Sequence, residues 1–409
     1  IYQEQEQEMN SSSWEAKLDY TNHLTDWLKL EAGYDGRYSH ENTPVTTYEG
    51  TNVDDMVINP MLYNRFKYDN NISALYATLG GKVKAFSFSA GLRAESWQIK
   101  AQSLGYEQKP EEVTPYKRSD FALFPSAYVS WSLPKNNELQ VNFTRRIRRP
   151  WGGQLNTFRN ISDPTNISYG NPLLKPEYSN AFELNYLKSW ENHMLSVSAY
   201  YRTTDDIMQR ISYMKDGIMY STTDNVAQSL SSGVEIVGKN RLFGKLDLTT
   251  TLNMFYYKLD AFDFTLPNGA NLHGDASEDF SWNIRMMGTV GLPKAWSLQV
   301  TGMYNAKSVI AQGYRAPNYG LDAGIRKQFA GGKWSLSLNG RDLLNSRRFH
   351  SVKWTPDFYQ ESSNFRGGRQ ISGTLTYSFG NMRAKKPRKM DNGGMQPEYG
   401  GGDGLEYDM

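Results

Sequence analysis

An all-β, antiparallel up-and-down transmembrane β-barrel is the fold this sequence predicts, and three observations predict it. Short runs of alternating apolar and polar residues recur along the chain, and the connections between them alternate between tight turns and long loops. Aromatic residues make up 13% of the chain, yet its mean hydropathy is −0.65. Alternation puts every second side chain on one face of a strand, and a barrel with its turns at one rim and its loops at the other produces the turn-and-loop rhythm. No run approaches the roughly 18 apolar residues that a spanning helix needs, whereas a barrel strand shows lipid only every second residue.

The elements follow in order. Ile1 to Ser13 is polar and acidic and reads as an exposed loop end. Trp14 to Leu24 and Trp27 to Tyr38 form a strand pair about Thr25-Asp26, and a long connection near 39–64 carries the breakers Asn52, Asp54, Asp55 and Pro60. Asn71 to Leu79 and Lys84 to Lys100 pair through Gly80-Gly81, with a second long loop near 101–118. Phe121 to Leu133 and Glu138 to Ile147 turn at Pro134-Lys135-Asn136-Asn137, and the longest loop, near 148–180, follows. Ala181 to Trp190 turns into Met194 to Ile207, and Ser229 to Leu242 into Lys245 to Leu259. After a long loop near 260–279, built around Pro267-Asn268-Gly269, Phe280 to Leu292 turns into Trp296 to Val309. Tyr319 to Phe329 turns into Trp334 to Leu344, and a last long loop lies near 345–369. Gln370 to Phe379 closes a series of about fifteen strands.

The two faces are legible within single strands. Leu246, Leu248, Leu252 and Met254 oppose Asp247, Thr249, Thr251 and Asn253; Ile371, Leu375, Tyr377 and Phe379 oppose Ser372, Thr374, Thr376 and Ser378. A soluble sandwich alternates in the same way, so length and tryptophan placement separate the two. Many runs reach the ten or so residues a tilted strand needs to cross a bilayer. Trp27, Trp97, Trp131, Trp190, Trp282, Trp296 and Trp334 fall near strand ends, where an interfacial girdle would place them. Tryptophans scattered through a soluble core are the alternative.

Composition excludes several kinds of chemistry. A formal net charge of +2 implies no strong electrostatic partner and argues against nucleic acid. With no cysteine there is no disulfide, thiolate metal site or thiol nucleophile. The five histidines, His23, His40, His193, His273 and His350, show neither metal spacing nor a serine or acid partner at a recognisable interval. Asp54-Asp55, Asp205-Asp206 and the stretch 273–279 lack the twelve-residue spacing of a calcium loop, and the Gly-Gly pairs do not open helices. No catalytic residue, metal or cofactor is expected.

The chain between Glu138 and Tyr186 carries the most specific wording: Arg145-Arg146-Ile147-Arg148-Arg149-Pro150-Trp151, then Asn171-Pro172-Leu173-Leu174-Lys175-Pro176-Glu177-Tyr178, then Phe182-Glu183-Leu184-Asn185-Tyr186. The Asn-Pro-Leu-Leu-Lys-Pro-Glu phrase with a glutamate six residues beyond resembles a hallmark of TonB-dependent outer-membrane transporters. The fuller form is similar to the outer-membrane β-barrel family of Bacteroidetes-type bacteria. Tyr200 to Ile207, Asp224 to Ala227, Ser232 to Ile236, Asn339 to Asn345 and the terminal Gln370 to Phe379 extend the resemblance, which covers residues 115–379 well and the first hundred weakly.

That resemblance implies a bacterial outer-membrane, multi-pass barrel of twenty-two strands with an N-terminal plug. It further implies an inner-membrane TonB complex as energy source, and import of a nutrient of glycan, siderophore or peptide class. Fifteen is odd, and two terminal strands that point the same way cannot close an antiparallel barrel. The chain is therefore expected to be a C-terminal portion, 1–379, whose plug and remaining strands belong to the same protein. A structural barrel docking a surface lipoprotein and a passive porin are the rival readings. The tail 380–409, with Arg383, Lys385, Lys386, Arg388 and Lys389 and too few apolar residues to bury a core, is expected in the periplasm, disordered or partner-bound.

Site candidates fall in three groups. Trp151, Phe158, Arg159, Tyr169 and Asn171 combine stacking faces with hydrogen-bonding groups, as a sugar or siderophore site needs; packing of the loop on itself explains them equally. Arg146 and Arg148, with Arg145 and Arg149, would bind an anion or lipopolysaccharide phosphate, or line the lumen paired with carboxylates. Asn171, Pro172, Lys175, Pro176, Glu177 and Glu183 carry the family phrase, and a structural role is expected of them.

Overall fold

The computed structural model describes residues 2–161, 163–265, 271–365 and 367–379. Its main sheet counts 17 strands, of which Tyr2–Gln7 and Asn10–His23 are two pieces of one edge ribbon and Val57–Ile58 is a two-residue addition, so fifteen long ribbons make the wall. We number them β1 (Asn10–His23, preceded by Tyr2–Gln7), β2 (Leu28–Gly50), β3 (Asn64–Val83), β4 (Phe86–Leu104), β5 (Tyr116–Leu133), β6 (Asn137–Arg148), β7 (Glu177–Ser189) and β8 (His193–Asp205). There follow β9 (Ser229–Leu242), β10 (Leu246–Leu259), β11 (Ser277–Leu292), β12 (Trp296–Asn305), β13 (Asn318–Phe329), β14 (Trp334–Arg341) and β15 (Gln370–Tyr377). Each pairs antiparallel with the next in chain order. The sheet is open among the described residues: β1 and β15 are its two edges.

Cross-strand register turns the sequence alternation into two walls. One row reads Phe86, Trp131, Leu139, Tyr186, Val197, Ile236, Leu252, Ile284, Tyr304, Tyr319 across ten consecutive strands. The row one residue along reads Ser87, Ser130, Gln140, Asn185, Ser198, Glu235, Asn253, Asn283, Asn305, Asn318. Because barrel strands are tilted, a row at right angles to them climbs from one rim to the other. The apolar row accordingly begins in aromatics near the short turns, passes through aliphatics, and ends in aromatics beside the loops. That profile matches two interfaces with hydrocarbon between them. Trp27, Trp190, Trp296 and Trp334 stand exposed at the short-turn rim.

Several sequence expectations are corrected. Residues 2–13, expected as a loop end, are strand: Tyr2–Gln7 pairs with Val45 to Gly50, so β2 continues past the expected loop start at 39 to Gly50. The Gln/Glu run there has no apolar face, so it gives no period-2 signal although its backbone is fully laddered. β4 runs to Leu104 and β5 starts at Tyr116, which shortens the loop expected near 101–118. Trp97 is not a girdle residue; it is 1% exposed and faces inward. The loops hold hairpins of their own: Met208–Lys215 with Ile218–Asn225, Phe262–Thr265 with Asn271–Gly274, and Arg348–Thr355 with Phe358–Phe365. Ser308–Ile310 pairs with Gly313–Arg315, which in turn joins the 348–355 strand. Pro267-Asn268-Gly269 and the tail 380–409 lie outside the described residues.

Candidate functional site

The site is built where the longest loop, residues 149–176, meets the inner wall near the loop rim. Alternation turns Phe66 and Tyr68 of β3 and Trp97, Ile99 and Ala101 of β4 inward, making an apolar patch on an otherwise polar wall. Leu155 and Leu174 of the long loop, and Met208 from the next loop, cover that patch and are almost wholly buried. Burying two leucines this way is worth about 4 kcal/mol, so the loop is held against the wall. Gly152 opens a one-turn helix, Gly152–Leu155, against Tyr68 and Glu41. Gly170 lies where the loop crosses itself, its N–H bonding Asn156 O at 2.7 Å; a Cβ there would collide with Gln154 O and Asn156 O.

Beneath the loop runs a line of alternating charges. Glu15 of β1 bonds Arg37, which bonds Asp35 at 3.2 Å, both on β2; Asp35 accepts from Arg93 at 3.0 Å, and Arg93 bonds Glu95 at 2.5 Å, both on β4. Glu95 in turn binds Arg149 at the head of the loop. Arg149 and Arg118 both lie over the Trp97 ring, 5.6 and 6.0 Å from its centre, and Arg118 pairs with Asp120 and donates to Leu174 O at 2.9 Å. Charge-assisted bonds and guanidinium stacking in this half-dry wall are stronger than the same contacts in water. The loop is thus fastened at its head through Arg149 and near its end through Leu174.

The family phrase forms a clamp between loops. Asn171 Oδ1 accepts from Leu173 N at 2.9 Å, a local turn, while its Nδ2 donates to Asp224 at 3.1 Å. Lys175 N donates to Asn225 Oδ1 at 2.7 Å, and Asn225 Nδ2 returns a bond to Lys175 O at 2.9 Å. Pro172 and Pro176 fix the backbone between these contacts. Glu177, 7% exposed, accepts from Met208 N at 2.6 Å and binds Arg148 at 3.0 Å. Glu183 accepts from Asn142 at 3.2 Å, and Arg146 shares that inward face, opposite Ser179.

Of the ligand candidates, Tyr169 and Arg159 converge on Tyr213: the two tyrosine hydroxyls are 2.8 Å apart, and burial pushes the Tyr213 phenol up against the opposing pull of Arg159. Tyr213 stacks on Tyr220 in the second cluster, with Ile211, Leu259, Phe262 and Phe264. Phe158 is half-buried, its N–H donating to Asn156 Oδ1 at 3.1 Å, and Trp151 is exposed at the loop's start. Asn171 belongs to the clamp. The structure therefore gathers no single pocket from those five residues. The charge line escaped sequence reading, although its signal was present: opposite charges two apart, Asp35/Arg37, Arg93/Glu95 and Arg118/Asp120, share one face of a strand.

At the loop rim, His273 hydrogen-bonds Asp263 at 2.9 Å across the 262–274 hairpin, and this bond, with the nearby Asp275, raises its pKa above the ordinary 6.5. A raised imidazole stabilises the folded hairpin fully below pH 6.5 and loses that contribution as pH climbs through the raised value. An NMR titration of His273 should place its midpoint above that of the unfolded peptide; a midpoint at or below it would remove this link.

Comparison with solved structures shows the same fold. The ferric yersiniabactin uptake receptor FyuA from Yersinia pestis aligns with TM-score 0.60 at 14% identity, over 92% of this chain and 55% of that one. The copper transporter OprC aligns with TM-score 0.61 at 12% identity, over 91% and 57%. The siderophore receptor PiuA from Acinetobacter baumannii aligns with TM-score 0.61 at 12% identity, over 90% and 56%. The chain thus spans about half the length of these receptors. No curated protein sequence matches it. The profile of the outer membrane protein beta-barrel family matches residues 1–377, and with the lipid-facing and lumen-facing rows described above the chain belongs to that family and resides in the outer membrane.

Proposed function

We propose that the chain is the C-terminal part of a TonB-dependent receptor barrel that imports a nutrient ligand, with the plug, the TonB-contacting segment and the remaining strands supplied by the same protein. The observation that carries this reading is the inward fold of the long loop onto the inner wall, over an apolar patch and beside a line of paired charges. A passive pore needs an open lumen, whereas a receptor needs a rim that captures its ligand before passage. The sheet edges support it too. β1 and β15 run in the same direction, so an odd number of further strands is needed to close the wall, and seven would give twenty-two. The solved structures of the same fold are named as a ferric yersiniabactin uptake receptor, a copper transporter and a siderophore receptor, and this chain's ligand is assigned to the same nutrient role without a fixed chemical class.

Tyr169 and Trp151 would make the first contacts, and the arginines beneath the loop would exchange carboxylate partners as an acidic or chelate ligand entered. Uptake by cells carrying or lacking the intact gene tests the reading, with iron chelates, copper, oligosaccharides and peptides offered in turn. Loss of one uptake activity, dependent on an energised inner membrane, is expected. Uptake that persists after de-energisation supports a passive pore, and no dependence for any ligand supports a structural barrel; either outcome removes the proposal.

A further inference from the structure

The outer surface of β3, β4 and β5 changes character step by step toward the loop rim. Leu75, Ala94 and Leu123 form one lipid-facing row; the next rows on that face are Ser73, Ser96 and Phe121, then Asn71, Gln98 and Ser119, then Asp69, Lys100 and Lys117. Lys67 and Arg65 continue the same face of β3. Leu75, Leu123 and Phe121 are exposed, so the apolar part of this face is uncovered down to its edge. Lys117 stands four residues above Phe121, roughly 13 Å along the strand. With strands tilted about 40°, that is ~10 Å of height, and a lysine can snorkel several ångströms back toward the hydrocarbon edge.

The four cations of this face lack ion pairs among the described residues. The one carboxylate in the same register row, Asp69, is taken by Tyr38 at 3.0 Å and His40 at 2.7 Å. Arg65 donates to Asn42 at 2.8 Å and keeps its remaining guanidinium donors. Gln102 is tied to Pro110 O and Val113 O, which brings the 105–115 loop over the patch as a low roof. A recess of about 190 Å³ remains, lined by His40, Lys67, Asp69, Lys100, Gln102 and Pro110. Paired lysines on adjacent strands, Lys100 opposite Lys117, repel one another unless an anion sits between them.

We infer that this face is a binding site for the anionic headgroup of an outer-leaflet glycolipid, with Lys67, Lys100, Lys117 and Arg65 engaging its phosphate or carboxylate groups while the acyl chains lie on Leu75, Leu123 and Phe121. A single uncharged polar row, Asn71, Gln98 and Ser119, separates the lipid-facing apolar rows from the cationic rows, a step short enough for headgroup and chains of one molecule to be held together. An oligosaccharide headgroup reaches the height of Lys67 and Arg65, which a simple phosphodiester does not. Each lysine near an anionic membrane surface raises affinity about fivefold, so three together form a site that should survive extraction in mild detergent.

The test compares the full-length protein with a triple variant, Lys67→Gln, Lys100→Gln and Lys117→Gln, and with a charge-matched control at the opposite rim, Lys84→Gln, Lys135→Gln and Lys294→Gln. Lipopolysaccharide retained after purification is quantified, and binding to lipopolysaccharide micelles, phosphatidylglycerol vesicles and inorganic phosphate is measured. Loss of at least tenfold in lipopolysaccharide retention for the outer-face triple alone, with little phosphatidylglycerol or phosphate binding, is expected. Equal retention in both triples overturns the site. Phosphatidylglycerol binding of the same strength and lysine dependence makes the patch a general anionic surface, and displacement by millimolar phosphate makes it a free-anion site; both overturn the glycolipid assignment. Melting in detergent is followed for every variant, and Lys117→Gln alone replaces the triple if the triple fails to fold, with a severalfold loss expected.

Discussion

Glu95→Ala is expected to loosen the long loop and lower the melting temperature of the protein in detergent. The carboxylate joins Arg93 to Arg149, and both it and Asp35, which shares Arg93 with it, are nearly buried. Removing one member of a buried pair leaves the other charge without compensation, a loss of about 3 kcal/mol. Arg93 keeps Asp35, so the damage concentrates on Arg149 and on the loop it begins. Limited trypsin digestion should then cut after Arg159 under conditions where the parent protein is resistant; Arg149 and Lys175 each precede a proline, which blocks trypsin. Glu95→Gln, which retains shape and a hydrogen-bond acceptor, should fall between the two. Unchanged cleavage in the alanine variant would show that the leucines alone hold the loop. Their own contribution is tested by Leu174→Ala, expected to cost about 2 to 5 kcal/mol because the side chain is fully enclosed.

A second large effect is expected from a single charge on the outer wall. Leu252 lies in the middle of the apolar row, flanked by Ile236 and Ile284, six residues from the turn that starts β10. An arginine there would sit near the bilayer midplane and cost about 2 to 4 kcal/mol. Asn283→Arg, one residue along the neighbouring strand in the polar row, faces water and should change stability by less than ~1 kcal/mol. Denaturant unfolding in lipid vesicles measures both. Equal penalties would mean that the two rows do not face different solvents.

The number and order of the long strands were legible because each must show lipid an apolar residue at every second position, as Leu246 to Met254 does. That requirement lapses above the membrane. Tyr2–Gln7 and the upper half of β2 have water on both sides, so their strand character left no pattern. The loop hairpins were hidden for the same reason and by their brevity, as with Phe262–Thr265. Trp97 reads like an interfacial tryptophan by position along the chain; only its parity with Glu95 and Arg93 shows that it faces inward. In the loop, the asparagine-proline phrase announced a rigid segment, but its partners Asp224 and Asn225 lie some fifty residues away, where no local spacing reports them. The convergence of Tyr169 and Arg159 on Tyr213 is a tertiary fact of the same kind.

The central claim is that adjacent rows of one sheet face different solvents, hydrocarbon outside and water within. The chain has no cysteine, so a single introduced thiol reports one position without background. Spin labels at Val197, Ile236 and Leu252, and at their neighbours Ser198, Glu235 and Asn253, should be measured in lipid vesicles for collision with oxygen and with a water-soluble nickel chelate. The account predicts high oxygen and low nickel accessibility for the first three and the reverse for the second three. Equal nickel accessibility in both sets, or a protein that stays monodisperse in buffer without detergent, would contradict it.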